Sequence, residues 1–542
     1  MYDSKYLIRP YTVDWNTEES DSLHLEYSYD GEEWFALNGN NGILFPTMGS
    51  KRMANPTIIK KGDNTFKLYA ADACDSTKVF VYDSVDLINY TNENYIDANE
   101  VYLEPTDYIE IDESILSVLQ ARYGKPEPVT MISTQEVQLN CTADQVTLPK
   151  AVQVTYSNGS VEDEVVYWEN VQALMNASPG TYMIHGYVKQ HQYTNPLIYH
   201  RADPFIYKHT DGYYYFTASH TDEQNNLIGK YQYRHIYLRR SASLDGLADG
   251  SGQYEEVSVF DRDPLPGDCS PHIWAPEIHF INGKWYIYYT TTIDEHDLWS
   301  IRPHVLECAD SNPLTGTWIN HGPVKTSTND SIAFTDFSLD HTVLQHKGEL
   351  YMFWAEKHPH PTNSNIYAAK MIDPLCIDSS KVTMIAEPQH NWELHGHPVC
   401  EGPGFLHRNG KLFMTYSASG TDALYCCGLL TIDEDADLLE ASNWSKCPYP
   451  VFQSSRTTGQ FGPGHNSFTV DEDGHDIFVY HARQEERYLV DQDYEPLYDA
   501  GRNASLMRLY WNPDGTPNFS VPTPNGKGKD ITIDVTATVT IS

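Results

Sequence analysis

The second half of the chain says one thing five times. Residues 202–219 read ADPFIYKHTDGYYYFTAS, 274–292 WAPEIHFINGKWYIYYTTT, 339–357 LDHTVLQHKGELYMFWAEK, 401–419 EGPGFLHRNGKLFMTYSAS and 465–483 HNSFTVDEDGHDIFVYHAR. Each is a short strand, a turn ending in Gly, and a second strand rich in aromatics. Asp-Gly and Asn-Gly turns are strong hairpin signals because both residues tolerate positive φ. A further strand-like stretch follows in each unit: 235–241, 303–310, 364–372, 425–432 and, in the last, 504–511. The period of roughly 60–70 residues fits one four-stranded antiparallel sheet per unit, and such repeats mean radial or solenoid architecture. The expected fold is all-β, with a five-bladed β-propeller over residues 191–542.

Counting back from the turn glycines aligns the units. Nine residues before Gly212, Gly283, Gly410 and Gly474, and eight before Gly348, stand Asp203, Trp274, Glu401, His465 and Asp340. The innermost strands of a propeller surround its central channel, so these positions converge at one end of it. Three carboxylates and a Trp around one pocket point to glycoside hydrolysis, with one acid protonating the leaving oxygen and one carboxylate activating water. A third carboxylate nearby raises the pKa of the acid by like-charge repulsion.

Charge narrows the partners. With 75 Asp and Glu against 36 Lys and Arg, the net charge is −39. That surface repels nucleic acid and anionic membranes and suits a neutral oligosaccharide. Aromatics make up 13% of the residues, including 39 Tyr and 11 Trp, which favours strands and sugar-stacking surfaces. Nine cysteines include no CxxC pair, so reduced thiols are expected. The start MYDSKYLIRPYTVDW has no signal-peptide pattern, from which a cytoplasmic location is expected. No motif calls for an organic cofactor.

The motifs RADPFIYK (201–208), HIWAPEIHFINGKWYIYY (272–289), SLDHTVLQHKGELYMFWAE (338–356), EGPGFLHRNGKLFMTYSAS (401–419) and GPGHNSF (462–468) resemble glycoside hydrolase family 43 over roughly residues 193–520, and most closely its exo-acting α-L-arabinofuranosidases. The resemblance implies an inverting enzyme with Asp203 as general base, Glu401 as general acid and Asp340 as pKa modulator. It implies that Arg483, Trp274 and Glu277 line the sugar site, and that His465 holds a calcium or other cation on the axis through water. His341 departs from the family pattern and is expected to narrow the subsite. Asp336 is a rival modulator, disfavoured by its distance from the turn. The alternatives are a β-xylosidase or other pentose exo-enzyme on the same fold, and a sugar-binding propeller without activity. Loops 222–234 and 358–365 are expected to wall the pocket. His358, His360, His395 and His397 read as loop residues near its mouth, with metal ligation the lesser reading.

Residues 1–122 read as a β-rich, blade-like unit in which Asn55 of ANP replaces the acid of ADP; an amide cannot act as a base, so this is expected to be a non-catalytic copy. The one clear helix-period stretch lies around Tyr108–Gln120. Residues 123–190, with LPKAVQVTYSNGSVEDEVVYWENV and SPGTYMIHGYVK, resemble bacterial Ig-like modules, which implies a β-sandwich spacer.

Overall fold

A computed structural model of the chain describes residues 6–542 apart from 14–17, 63, 102–105, 125–126, 143–144, 176, 222–232, 329–331, 358–363 and 487–495. The repeats fold as five antiparallel sheets whose first strands are Arg201–Lys208, Trp274–Ile281, Ser338–His346, Cys400–Arg408 and Phe461–Val470. Each first strand packs against the next, and the fifth returns to the first, so the sheets stand round a common axis. Every hairpin between first and second strands turns on a glycine at positive φ: Gly212, Gly283, Gly348, Gly410 and Gly474.

Two sheets depart from the four-stranded expectation: the third has six strands among the described residues, and the fifth has three, Phe461–Val470, Asp476–Arg483 and Asn503–Arg508. The free edge of the fifth takes up the segment that enters the first sheet. Leu197 N donates to Ala504 O (2.7 Å), Ala504 N to Ile198 O (2.9 Å), and the Asn195 amide bonds both ways with the Leu506 backbone (2.8 and 2.9 Å). Sequence-distant ends thereby close the wheel without an exposed edge.

Each first strand carries the same β-bulge. Two residues face one partner at Asp203-Pro204, Ala275-Pro276, Asp340-His341, Gly402-Pro403 and His465-Asn466. In every case the first of the two is left-handed, with φ of 54°, 44°, 52°, 56° and 41°. Holding a residue with a side chain there costs on the order of 1 kcal/mol or more, which the surrounding ladder absorbs. The bulge corrects the alignment counted from the turns. The positions equivalent to Asp203, Asp340 and His465 are Ala275 and Gly402; Trp274 and Glu401 stand one residue earlier. The hairpins differ in length by one residue, so the turn is a poorer landmark than the bulge.

The N-terminal unit has its own core (Ile8, Leu25, Phe66, Phe80, Leu119) and holds two four-stranded sheets. The helix-period stretch is helix Glu113–Tyr123, whose buried Ile115, Leu116, Leu119 and Tyr123 face that core. The Ig-like module contains a strand expected to belong to the propeller. Ile531–Ile541 lies between Val137–Cys141 and Gly180–Gln190, paired with the latter along its whole length. Its Val535, Ala537, Val539 and Ile541 are buried, so the alternating stretch completes the module's core and the boundary at 542 moves back before Ile531.

Candidate active site

Asp203 is the most heavily partnered residue of the ring. Ser219 Oγ donates to its Oδ2 (2.6 Å) and accepts from Ala275 N (2.7 Å), tying the first and second bulges together. Its Oδ1 faces His465 Nδ1 at 3.3 Å and Arg502 Nη1 at 3.5 Å. His481 Nδ1 accepts the Asp203 backbone N–H (3.1 Å); burial pushes this imidazole down to about 3, so it is neutral. Burial alone would raise the Asp203 carboxyl, but the facing His465 and the Arg502 guanidinium outweigh it and hold the group well below the usual carboxylate range; burial lowers His465 itself, so Arg502 is the standing charge and His465 a polar partner.

The other two acids move the opposite way. Asp340 lies 3.5 Å from the same His465 Nδ1, and burial followed by the charges of Glu401, Asp203 and Glu277 raises it well above the ordinary value. Glu401 is raised to about 7 by burial, against a hydrogen bond donated by Tyr425 (2.8 Å) and with a further push from Asp203. Asp340 and Glu401 therefore titrate as a pair that keeps a proton to near neutrality. Gly402 is needed beside them: a Cβ there would stand 3.2 Å from the His465 ring, at φ +56°. Ser417 Oγ accepts from His465 N (2.7 Å), fixing the fifth bulge to the fourth sheet.

The remaining expected site residues fall into two groups. Trp274 is buried, 4.5 Å from the His272 ring and edge-on to Tyr233 at 5.7 Å. The aromatic wall continues outward to Trp299, which is 46% exposed. Glu277 reaches His279 (3.0 Å) and contributes to the rise of Asp340. His341 and Arg483 are placed otherwise than expected. His341 is wholly buried, edge-on to Tyr288 (5.9 Å), and cannot narrow a subsite. The Arg483 guanidinium is taken up by Asp499 (2.7 Å) and the carbonyls of Pro496 and Asp422 (3.0 and 3.4 Å). The arginine that faces Asp203 is Arg502, held by Tyr233 OH (2.9 Å) and Leu497 O (3.1 Å). The sequence did not point to it, nor to Ser219, Tyr425 or His481; only His481, inside YHAR, carried a signal.

Asp336 is exposed and accepts from Phe337 N (2.7 Å), capping its own turn. His395 packs on Phe45 of the N-terminal unit (4.9 Å), and its carbonyl accepts from Ser419 Oγ and Gly420 N, so it supports the loop that leads to Glu401; His397 is exposed. His358, His360 and most of the two wall loops lie outside the described residues. No cluster of three or more His, Cys, Asp or Glu among the described residues is spaced to hold an ion, and His465 Nδ1 is turned toward carboxylates.

A family model for glycosyl hydrolases family 43 matches residues 193–517. The chain belongs to this family. A model for bacterial Ig-like domains (group 4) matches residues 132–191. Over 336 residues the chain is 45% identical to an extracellular exo-α-(1→5)-L-arabinofuranosidase of Streptomyces avermitilis, covering 62% of this chain and 64% of that protein. It is 42% identical over 319 residues to a protein of the same description from Streptomyces chartreusis, covering 58% and 90%. Thus it spans just under two thirds of the length of the first relative. The crystal structure of an α-L-arabinofuranosidase from Lactobacillus brevis superposes with a TM-score of 0.54 at 43% identity, covering 62% of this chain and 98% of that one. Both Streptomyces relatives are described as extracellular, which overturns the cytoplasmic location expected from the sequence.

Proposed function

We propose that the chain is an inverting exo-glycosidase that releases terminal α-L-arabinofuranose from arabinan- or arabinoxylan-derived oligosaccharides. The observation that carries the reading is the divergence of carboxylates round one pocket. Asp203 is held ionised beside the Arg502 guanidinium, while Glu401 is raised to about 7. Divergent environments assign base and acid. Glu401 gives its proton to the glycosidic oxygen as the bond to C1 breaks. Asp203 takes a proton from the water that attacks C1 from the opposite face, so the configuration inverts. Asp340, itself raised well above the ordinary value beside Glu401, shares the proton that the pair keeps to near neutrality and meets His465 Nδ1 at 3.5 Å on the side facing Asp203. Trp274 supplies an apolar wall for the sugar. The names of the relatives support the sugar and the exo mode.

The test is a panel of arabino-oligosaccharides and xylo-oligosaccharides labelled at the reducing end and followed by chromatography. Shortening of the arabino-series one sugar at a time, with free arabinose, is expected. Release of xylose alone, or internal cleavage, would contradict the reading.

A further inference from the structure

A cleft of about 290 Å³ opens between the N-terminal unit and the fourth sheet, with none of the ring carboxylates in its lining. Its walls are fixed to one another. Phe45 N donates to Asn391 Oδ1 (2.9 Å), Asn391 Nδ2 to Phe45 O (2.6 Å), Asn41 Nδ2 to Ser454 O (2.9 Å) and Gln453 Nε2 to Asn38 Oδ1 (2.6 Å). The cleft is therefore built rather than a chance gap between loosely tethered units.

Its lining is chemically unusual for this chain. Among the described residues not one Asp or Glu lines it, in a molecule that carries 75. Amides and rings take their place, Asn89, Gln389, Tyr90 and Trp392 among them. One cation, Arg122 in the last turn of helix Glu113–Tyr123, is set between the rings of Tyr123 and Tyr449 at 4.7 and 4.3 Å. It has no carboxylate partner among the described residues, and its Nε is buried without a hydrogen bond. The Tyr90 hydroxyl and Asn41 Oδ1, also in the lining, are buried and unbonded as well. Unsatisfied buried polar atoms cost free energy, and three of them belong to residues that line this one cleft.

We infer that this cleft binds a sugar carboxylate: a uronic acid, free or as a side group of an otherwise neutral oligosaccharide, with its carboxylate on Arg122 and its hydroxyls on Tyr90 and Asn41. Planar guanidinium pairs with planar carboxylate through two parallel hydrogen bonds. Ring faces and amides suit the sugar body. A net charge of −39 repels polyanions but tolerates a single acidic group. The Gln389–His395 wall belongs to the loop that enters the strand bearing Glu401, so the enzyme would hold an acidic substituent beside the pocket that trims neutral ends.

Titration calorimetry on the full chain with D-glucuronic acid, D-galacturonic acid, L-arabinose and acetate tests this. One uronic acid is expected to bind per chain, with Arg122→Gln weakening it about tenfold or more and Tyr90→Phe weakening it about threefold. Arabinose binding and kcat/KM on an aryl arabinofuranoside should stay unchanged in both variants. Arg122→Lys, which keeps the charge but loses the bidentate fork, should fall between wild type and Arg122→Gln. Absence of uronic acid binding, affinity indifferent to all three substitutions, or acetate bound as tightly as the uronic acids would overturn the inference. Absence of aryl arabinofuranosidase activity in the wild-type chain would instead sink the proposed function and leave the uronic acid cleft standing.

Discussion

Two bulges in this molecule share a backbone and differ in chemistry. The strand Met53–Gly62 of the N-terminal unit has Asn55-Pro56 facing one partner residue, with Asn55 at φ 49°. The strand Arg201–Lys208 has Asp203-Pro204 in the same arrangement, at φ 54°. The surroundings separate them. Asn55 is exposed and has no side-chain hydrogen bond among the described residues, and the position opposite Ala54 is Ala71. Asp203 is 8% exposed, and the position opposite Ala202 is Ser219, which bonds it. The left-handed bulge is thus a property of how these sheets are built. Catalytic character comes from the neighbours that the closed wheel brings to it.

That contrast can be broken at its centre. Asp203→Asn makes the catalytic bulge match the N-terminal one and should lower kcat/KM about 1000-fold while leaving the melting temperature within a few degrees. Adding Asn55→Asp to that variant should restore nothing, because no Arg, His or Ser partners await it. Recovery of activity would show that the bulge alone makes a base. Glu401→Ala should cost about 100-fold or more on oligosaccharides and much less on aryl arabinofuranosides with good leaving groups, which need no proton; equal losses on both would remove Glu401 as the acid.

A pH profile sharpens the comparison further. Asp203 must be ionised and Glu401 protonated, so kcat/KM should fall on the alkaline side with a limb near 7 and on the acid side below the ordinary carboxylate range. Arg502→Gln removes a charge that favours the ionised form, so the acid limb should move up by about one to two pH units, and the alkaline limb should move up less, because the same guanidinium also lowers Glu401. An unmoved acid limb would mean that Arg502 does not hold the base. The smallest effect is expected for Ser219→Ala, which copies Ala71: about a tenfold loss in kcat/KM for one hydrogen bond to a charged group.

The hairpins, the five repeats and the three acids were legible because aromatic strands and Gly turns recur at a fixed spacing. That a bulge sits one residue past Trp274 and Glu401 was not, since hairpin length and bulge position vary independently. His341 looked like a pocket residue because its neighbour is one, yet it is wholly buried against Tyr288. Arg502 lacks a local signature; only the return of the fifth sheet to the first brings it within 3.5 Å of Asp203. Likewise, the alternation of Ile531–Ile541 reads as a strand but does not name its partner, which lies some 350 residues away in the chain.

The most direct test of the assignment of Asp203 and Glu401 is the anomeric proton spectrum recorded during the first minutes of hydrolysis of an α-(1→5)-linked arabino-oligosaccharide. A water activated by Asp203 opposite Glu401 gives free β-L-arabinofuranose first, with the α-anomer and the pyranose forms growing in later by mutarotation. First appearance of the α-anomer would mean retention through a covalent intermediate, and Asp203 would then be a nucleophile rather than the base that activates water.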